Sequence, residues 1–312
     1  MTITPFIHDT PEWHAMRAGN VGASEIAALF GMQPAYALSH YALWQVKAGN
    51  APPPEVNNPR TQWGLRLEEA IAAGVAEKEG WAVSKGGYVT DDTTPGLGCT
   101  LDYVIAEGVA GRVGPGALEL KNSDWLIHRK TWVDGEPPEH VLLQHQAQLA
   151  CTGWTWGAVG CLVGGNDLQV YPYAAKPKLI AEIRRRVTAF WQSIREGREP
   201  PVDGSDAAAA VIRAMHPVVG DEEADLRADN ELPDVCARLL DAAARRREAE
   251  AEEAEAKNAL AAKLGGFKHA IIQGYRVNVA VTPEKAAAEP PAGYLIPGRK
   301  EVRRITVKEL AS

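Results

Sequence analysis

No stretch of the sequence approaches the roughly 18 consecutive apolar residues that a membrane-spanning helix needs, so no membrane partner is expected. Residues 1–13 lack a basic segment followed by an apolar one, so no secretory leader is expected either, and the chain reads as soluble and cytoplasmic. Cysteine is scarce. Cys99, Cys151, Cys161 and Cys236 form no CxxC pair and fit no common zinc spacing, so they are expected to be reduced thiols without a functional role. Positive charge is also short: 33 Lys and Arg against 40 Asp and Glu leave a net charge of −7. That balance argues against a protein that coats nucleic acid by bulk charge, but it is compatible with a local basic groove beside an acidic site.

What is present is a globular composition, 46% hydrophobic and 23% charged over 312 residues, enough for one large domain and an accessory part. Three zones follow from the pattern. Residues 1–200 mix helix and strand signals. Residues 201–220 read as a connection with a short helical piece between Pro and Gly. Residues 221–312 begin with an Ala-, Glu- and Arg-rich stretch expected to be a long helix to about 264, then a hairpin around a Pro-rich loop.

Within the first zone, residues 24–30 suggest a short helix after a Gly-rich turn. Trp63, Leu67, Ile71 and Val75 recur every four residues and predict one apolar stripe on a helix over about 61–79. Residues 81–121 alternate and are interrupted by turn signals, which predicts an antiparallel meander. Pro137-Pro138 precedes an expected helix at 139–152. Residues 155–163 and 167–173 predict a hairpin over Gly164-Gly165-Asn166, and a further helix is expected over 175–196.

The chemistry concentrates in two strand-like segments, 100–104 and 117–121. Side chains alternate faces along a strand. Glu119 and Lys121 therefore share one face, with Leu118 and Leu120 on the other, and Asp102 is flanked by Leu101 and Tyr103. If the two segments pair, two acids and a lysine converge. Asp102, Glu119 and the Leu120 carbonyl would then offer oxygen ligands to Mg²⁺, which polarises a phosphate and lowers the pKa of a bound water. Lys121 would position that water or help deprotonate it. A lone Glu-x-Lys on a strand is more often a solvated face.

Further motifs stand in order around this pair. Trp13-His14-Ala15-Met16-Arg17 and Gly22-Ala23-Ser24-Glu25 precede Trp63-Gly64 with Glu68, then Asp102, Glu119-Leu120-Lys121, and Gln144-His145-Gln146 with Leu149. This series resembles the lambda exonuclease/YqaJ-type viral recombinase family, in order and spacing over about 14–150. The resemblance implies an α/β, restriction-endonuclease-like core with a central mixed sheet flanked by helices. It implies Mg²⁺-dependent 5′-to-3′ degradation of double-stranded DNA in phage recombination, with Mn²⁺ as a substitute ion. It also implies a single-strand annealing protein or further copies of the chain as partners, and the host cytoplasm as the location of a phage-encoded protein. On the matching positions, Asp102, Glu119 and Lys121 become the hydrolytic core and Glu68 an acid contributing to the metal shell. Gln144 becomes a positioner near the scissile phosphate, and Arg17 and Ser24 become contacts to the terminal phosphate.

Each role has a plainer counterpart. Glu68 reads equally as a solvated helix acid, with Glu69 as its neighbour, and Gly64 one turn earlier would let DNA or another strand approach. Gln144 with Gln148 fits a polar helix face, and Ser24 fits a helix N-cap. His14, His128, His140 and His145 read as packing or surface residues. The Arg245–Glu255 stretch fits a solvated helix with i,i+4 pairs, or else a coiled coil or protein-partner surface. Two other functions stay open: an endonuclease or junction resolvase of the same fold, and a non-catalytic phage structural or adaptor protein. The clustered cysteines of an iron–sulfur nuclease branch are not found here.

Overall fold

The computed structural model describes residues 2–7, 10–53, 59–217 and 223–284 and the backbone of 302–309. The chain divides into two compact units, Met1–Gly220 and Asp221–Ser312.

In the first unit, Thr10 caps α1 (Pro11–Ala18) by accepting from the Trp13 N–H, and Pro11 supplies the fixed φ of the first turn. Strand β1 (Val21–Gly22) leads into a 3₁₀ turn (Ala23–Glu25) and α2 (Ile26–Phe30), the short helix expected after the Gly-rich turn. Ser39 caps α3 (His40–Lys47). Then come α4 (Pro59–Glu79) and the strands β2 (Val83–Lys85), β3 (Tyr88–Thr90), β4 (Leu97–Thr100), β5 (Tyr103–Ile105) and β6 (Gly116–Ser123). Asp124 caps α5 (Trp125–Thr131) by accepting from the N–H groups of Leu126 and Ile127. Helix α6 (Glu139–Thr152) starts behind the two prolines and stops at Gly153, whose φ of 70° suits glycine. Strands β7 (Trp156–Val163) and β8 (Asp167–Ala174) form the expected hairpin, and α7 (Pro177–Arg195) and α8 (Asp206–Met215) complete the unit.

The five-stranded sheet has the order β2-β5-β6-β7-β8, with β6 and β7 parallel and the other neighbours antiparallel. A smaller sheet has the order β1-β4-β3. The single meander expected over 81–121 is thus divided between two sheets. The chain leaves the large sheet at Gly86-Gly87 and returns through Leu101-Asp102. There the backbones cross so closely that a Cβ on Gly86 would lie 2.1 Å from the Leu101 carbonyl oxygen. Only glycine allows that approach. The crossing is tied by Gly86 N–H to the Asp102 carbonyl at 3.0 Å and Leu101 N–H to the Gly87 carbonyl at 2.9 Å.

Helix α4 covers one face of the large sheet, packing Ile71, Ala72 and Val75 on Leu118, Leu120, Trp156 and Ala158. The isoleucine, valine and leucine side chains among these contribute about 1.5–3 kcal/mol each when fully removed from water. The expected stripe leaves the core at its N-terminal end: Leu67 is partly buried, and Trp63 is exposed and stacked under Arg66. On the other face, Leu143, Ala147 and Ala150 of α6 pack with Ala117, Cys99 and residues of α7. Cys99 and Cys151, distant in sequence, meet in this core with both thiols buried, and burial raises the pKa of Cys99. Helix α8 docks through Val211 on Ala42 and Ala51.

The second unit holds α9 (Leu232–Leu264) and the antiparallel strands β9 (His269–Ile272), β10 (Tyr275–Thr282) and β11 (Val302–Glu309), ordered β11-β10-β9. The long helix begins at Leu232 rather than near 221, where Pro233 fits the first turn. The expected hairpin has a third strand, because Gly274, with φ of 81°, turns β9 into β10. The Pro-rich loop lies outside the described residues. Among the described residues, no helix is long and apolar enough to cross a membrane.

Candidate active site

Strand alternation decides the centre of the site. Leu118 and Leu120 point into the α4 core, so Glu119 and Lys121 point toward α6. Glu119 is 2% exposed, and both of its oxygens are held. Oε1 accepts from Lys121 Nζ at 2.6 Å and Gln144 Nε2 at 2.7 Å, and Oε2 accepts from Gln148 Nε2 at 2.5 Å. Lys121 also donates to Gln144 Oε1 at 3.0 Å. Burial lowers the Lys121 pKa, but the negative charges of Glu119 and Asp102 outweigh it, and the net shift is upward. The lysine therefore stays a charged donor.

Asp102 does not sit within a strand, as its flanking residues suggested, but at the bend between β4 and β5. The return from the small sheet, forced by the Gly86 crossing, makes that bend. It aims the carboxylate at the edge of β6, where Oδ2 accepts from the Leu120 N–H at 2.8 Å. A strand residue directs its N–H and C=O to the same edge, so the Leu120 carbonyl faces the Asp102 side as well. Burial, then the charge of Glu119, then that of Glu68 push the Asp102 pKa well up, against the pull of Lys121.

Glu68 approaches from α4 on the opposite face of the sheet. Its Oε2 pairs with Lys85 Nζ at 2.6 Å, whereas neighbouring Glu69 is exposed. The charge of Glu68 is among those that raise the Asp102 pKa. A Cβ on Gly64 would meet nothing within 4 Å among the described residues.

Several participants lay outside the sequence motifs. Gln148 is fully buried, and besides Glu119 its amide bonds the Thr100 carbonyl at 3.1 Å. Its spacing of four from Gln144 was the available signal, and it fitted a polar surface equally well. Lys85, 55% exposed at the side chain, lies 4.8 Å from the Tyr103 ring, and nothing in its neighbours distinguished it. The Lys121 charge adds to burial in lowering the His140 pKa. Gln146 faces elsewhere, bonding the Ala174 carbonyl and the Lys176 N–H and so joining β8 to α7.

Arg17 and Ser24 fall in a second cluster. Arg17 stacks on Trp13 at 4.7 Å and reaches Glu25 Oε1 at 3.2 Å, and Lys47 Nζ lies 2.9 Å from Glu25 Oε2. Burial raises the Glu25 pKa, but the charges of Lys47 and Arg17 outweigh it and hold the group below the usual range. Glu25 rather than Ser24 caps the 3₁₀ turn, accepting from the Gly22 N–H at 2.8 Å. The Ser24 N-cap alternative is therefore not realised, and Ser24 is exposed. The turn packs against α6, the helix that carries Gln144.

The donor set tests the fit of an ion. Asp102, Glu119 and the Leu120 carbonyl offer oxygen only, and the two carboxylates raise each other's need for a cation. That chemistry suits a hard divalent ion that keeps several waters. Among the described residues, no three His, Cys, Asp or Glu side chains converge as a closed metal cage.

Residues 12–155 match the model of the YqaJ-like viral recombinase domain. An alkaline exonuclease from Laribacter hongkongensis, LHK-Exo, is 25% identical, with a TM-score of 0.50 over 61% of this chain and 95% of its own. LHK-Exo in complex with dAMP is 26% identical, with a TM-score of 0.51 and the same coverage. No curated protein matches the chain.

Proposed function

We propose that this chain, whose residues 12–155 match the model of the YqaJ-like viral recombinase domain, is a Mg²⁺-dependent 5′-to-3′ exonuclease acting on double-stranded DNA. The coarse reading, a phage-type exonuclease and so a hydrolase, follows from the family model and from the likeness to LHK-Exo. The observation that carries the finer reading is the Asp102–Glu119–Lys121 cluster with Gln144 across it. The dAMP bound by LHK-Exo is the kind of product that stepwise hydrolysis of a DNA strand releases.

In this reading Asp102, Glu119 and the Leu120 carbonyl hold the ion, and Mn²⁺ can replace Mg²⁺. The bound ion supplies charge stabilisation at the phosphate and an acidified water. Lys121 keeps its proton and donates toward the phosphate oxygens and the attacking water, oriented by Gln144. Gln148 fixes the second Glu119 oxygen, so the carboxylate cannot rotate. Glu68, held by Lys85, adds negative charge behind Asp102. A single-strand annealing protein and further copies of the chain are the partners proposed for recombination, with the host cytoplasm as the setting.

Directionality rests on Arg17 and Ser24; Lys47 shares the Glu25 carboxylate with Arg17 and is proposed to assist them. A terminal phosphate carries more charge than an internal diester, and guanidinium donors exploit that difference. Charge-assisted contacts contribute about 1.5–3 kcal/mol, so a 5′-phosphorylated linear duplex should be digested about ten- to a hundredfold faster than its 5′-hydroxyl counterpart. Arg17→Ala should remove most of that preference and leave some hydrolysis. End-labelled linear duplex compared with closed circles, with Mg²⁺, decides the matter. Equal cutting of both forms would assign the protein to the endonucleases instead.

A further inference from the structure

Helix α9 is the longest element of the chain, about 50 Å at 1.5 Å per residue. Among its residues only Leu264 is buried, and Ala243 and Leu260 are half-buried. Leu232, Val235, Leu239 and Leu240 are exposed along its first half, Leu239 at 69%. Isolated apolar side chains on a surface need no explanation, but here three of the four fall on one seam. Positions 232, 235, 239, 242, 246, 249, 253, 256, 260 and 263 alternate steps of three and four, the spacing of a coiled-coil face.

The charge along the helix is polar. Residues 232–247 carry four arginines against two aspartates, and residues 248–264 carry five glutamates against two lysines. The seam maps onto itself when the helix is reversed about the midpoint between Arg247 and Glu248. Reversal sets Val235 against Leu260 of a second copy and Leu239 against Ala256, with Leu232 over the stem of Lys263. Arg246 then meets Ala249, Glu253 meets Ala242, and Arg245 stands beside Glu252. A parallel pair would instead stack Arg246 on Arg246 and Glu253 on Glu253 inside the seam. Its gains, Arg245 beside Glu250 and Glu252 beside Lys257, are exposed rim pairs that contribute little, whereas like charges in the seam repel at close range.

We infer that α9 is a self-docking surface through which two copies of this chain pair antiparallel. The intrahelical pairs Arg245–Asp241, Arg246–Glu250 and Lys257–Glu253 are all exposed; the last two hold the seam residues Arg246 and Glu253 along the helix surface, and the apolar seam positions Leu232, Val235 and Leu239 take part in none of them. The inference is independent of the nuclease reading, because no residue of the catalytic cluster enters it.

The test uses the full chain with Cys236→Ser, which removes the exposed thiol and leaves three buried ones. Leu239→Cys and Ala256→Cys are made separately in that background, mixed at tens of micromolar and oxidised with diamide. A 239–256 bridge identified by peptide mapping, formed only in the mixture, is the expected result. Adding Arg245→Glu to both partners should lower the bridged fraction a few-fold, since two exposed attractive pairs become repulsive. Adding Glu252→Arg as well should restore it. A 239–239 bridge in the single variant alone would show parallel pairing, and the absence of any bridge would show a solitary charged helix; either overturns the inference.

Discussion

Two helices of this chain are stabilised in opposite ways. Helix α6 spans Glu139–Thr152, and ten of its residues are buried, among them His145, Gln146, Gln148 and Thr152. Helix α9 spans Leu232–Leu264, and one residue is buried. In α6 the two fully buried glutamines, Gln146 and Gln148, bond partners far away in sequence, Glu119, Thr100, Ala174 and Lys176, while His145 and Thr152 bond within the helix. In α9 the ion pairs are local, one helical turn apart. The first helix is held by tertiary structure and carries the site. The second is held by alanine's helix propensity and neighbouring charges. The same residue class, a polar side chain in mid-helix, belongs to the candidate site in one and to an exposed, locally ion-paired face in the other.

The largest expected effect lies at the residue on which α6 converges. Glu119→Gln keeps the shape of the side chain but removes the charge that Lys121 and the proposed ion require. Cleavage of end-labelled duplex should fall about a thousandfold or more, with the circular dichroism spectrum unchanged. Substantial remaining Mg²⁺-dependent activity would remove Glu119 from the mechanism and leave α6 a structural helix.

A pair of substitutions two positions apart divides the roles of α6 more finely. Gln148→Leu deprives Glu119 and the Thr100 carbonyl of a buried donor, so it should cost about 1–3 kcal/mol of stability and also lower kcat. Gln146→Leu should cost a similar amount, because the Ala174 carbonyl and the Lys176 N–H lose their partner, yet leave kcat per folded molecule unchanged. Urea unfolding together with steady-state rates separates them. Equal kinetic losses in the two variants would show that α6 acts as one rigid body rather than through named contacts.

The smallest effect is expected in α9. Ala251→Gly, outside the inferred seam, should weaken the helix locally by about 1 kcal/mol. Hydrogen exchange should rise around that position, while the unfolding of the first unit and the cleavage rate stay the same. A loss of activity there would mean that α9 supports the site and that the contrast between the two helices fails.

Local chemistry determined much of this protein from the sequence alone. Pro137-Pro138 and Gly153 bound α6, Gly164-Gly165 turns the β7–β8 hairpin, and Glu119 and Lys121 share a face because strands alternate. The ordered motifs located Asp102, Glu119, Lys121 and Gln144, and the structure brings these four together. Sequence alone did not show that residues 81–121 serve two sheets, since that division depends on a backbone crossing at Gly86 and Leu101. Nor did it show that Gln148 rather than Gln146 completes the site, that Lys85 holds Glu68, or that Lys47 joins Arg17 around Glu25. Each of those pairings joins residues at least 17 apart in the chain, except Arg17 with Glu25, which are 8 apart. The physical reason is one of range: propensity, capping and periodicity act within a few residues, whereas the partner of a buried polar group is chosen by whichever strand or helix the fold brings within hydrogen-bonding distance.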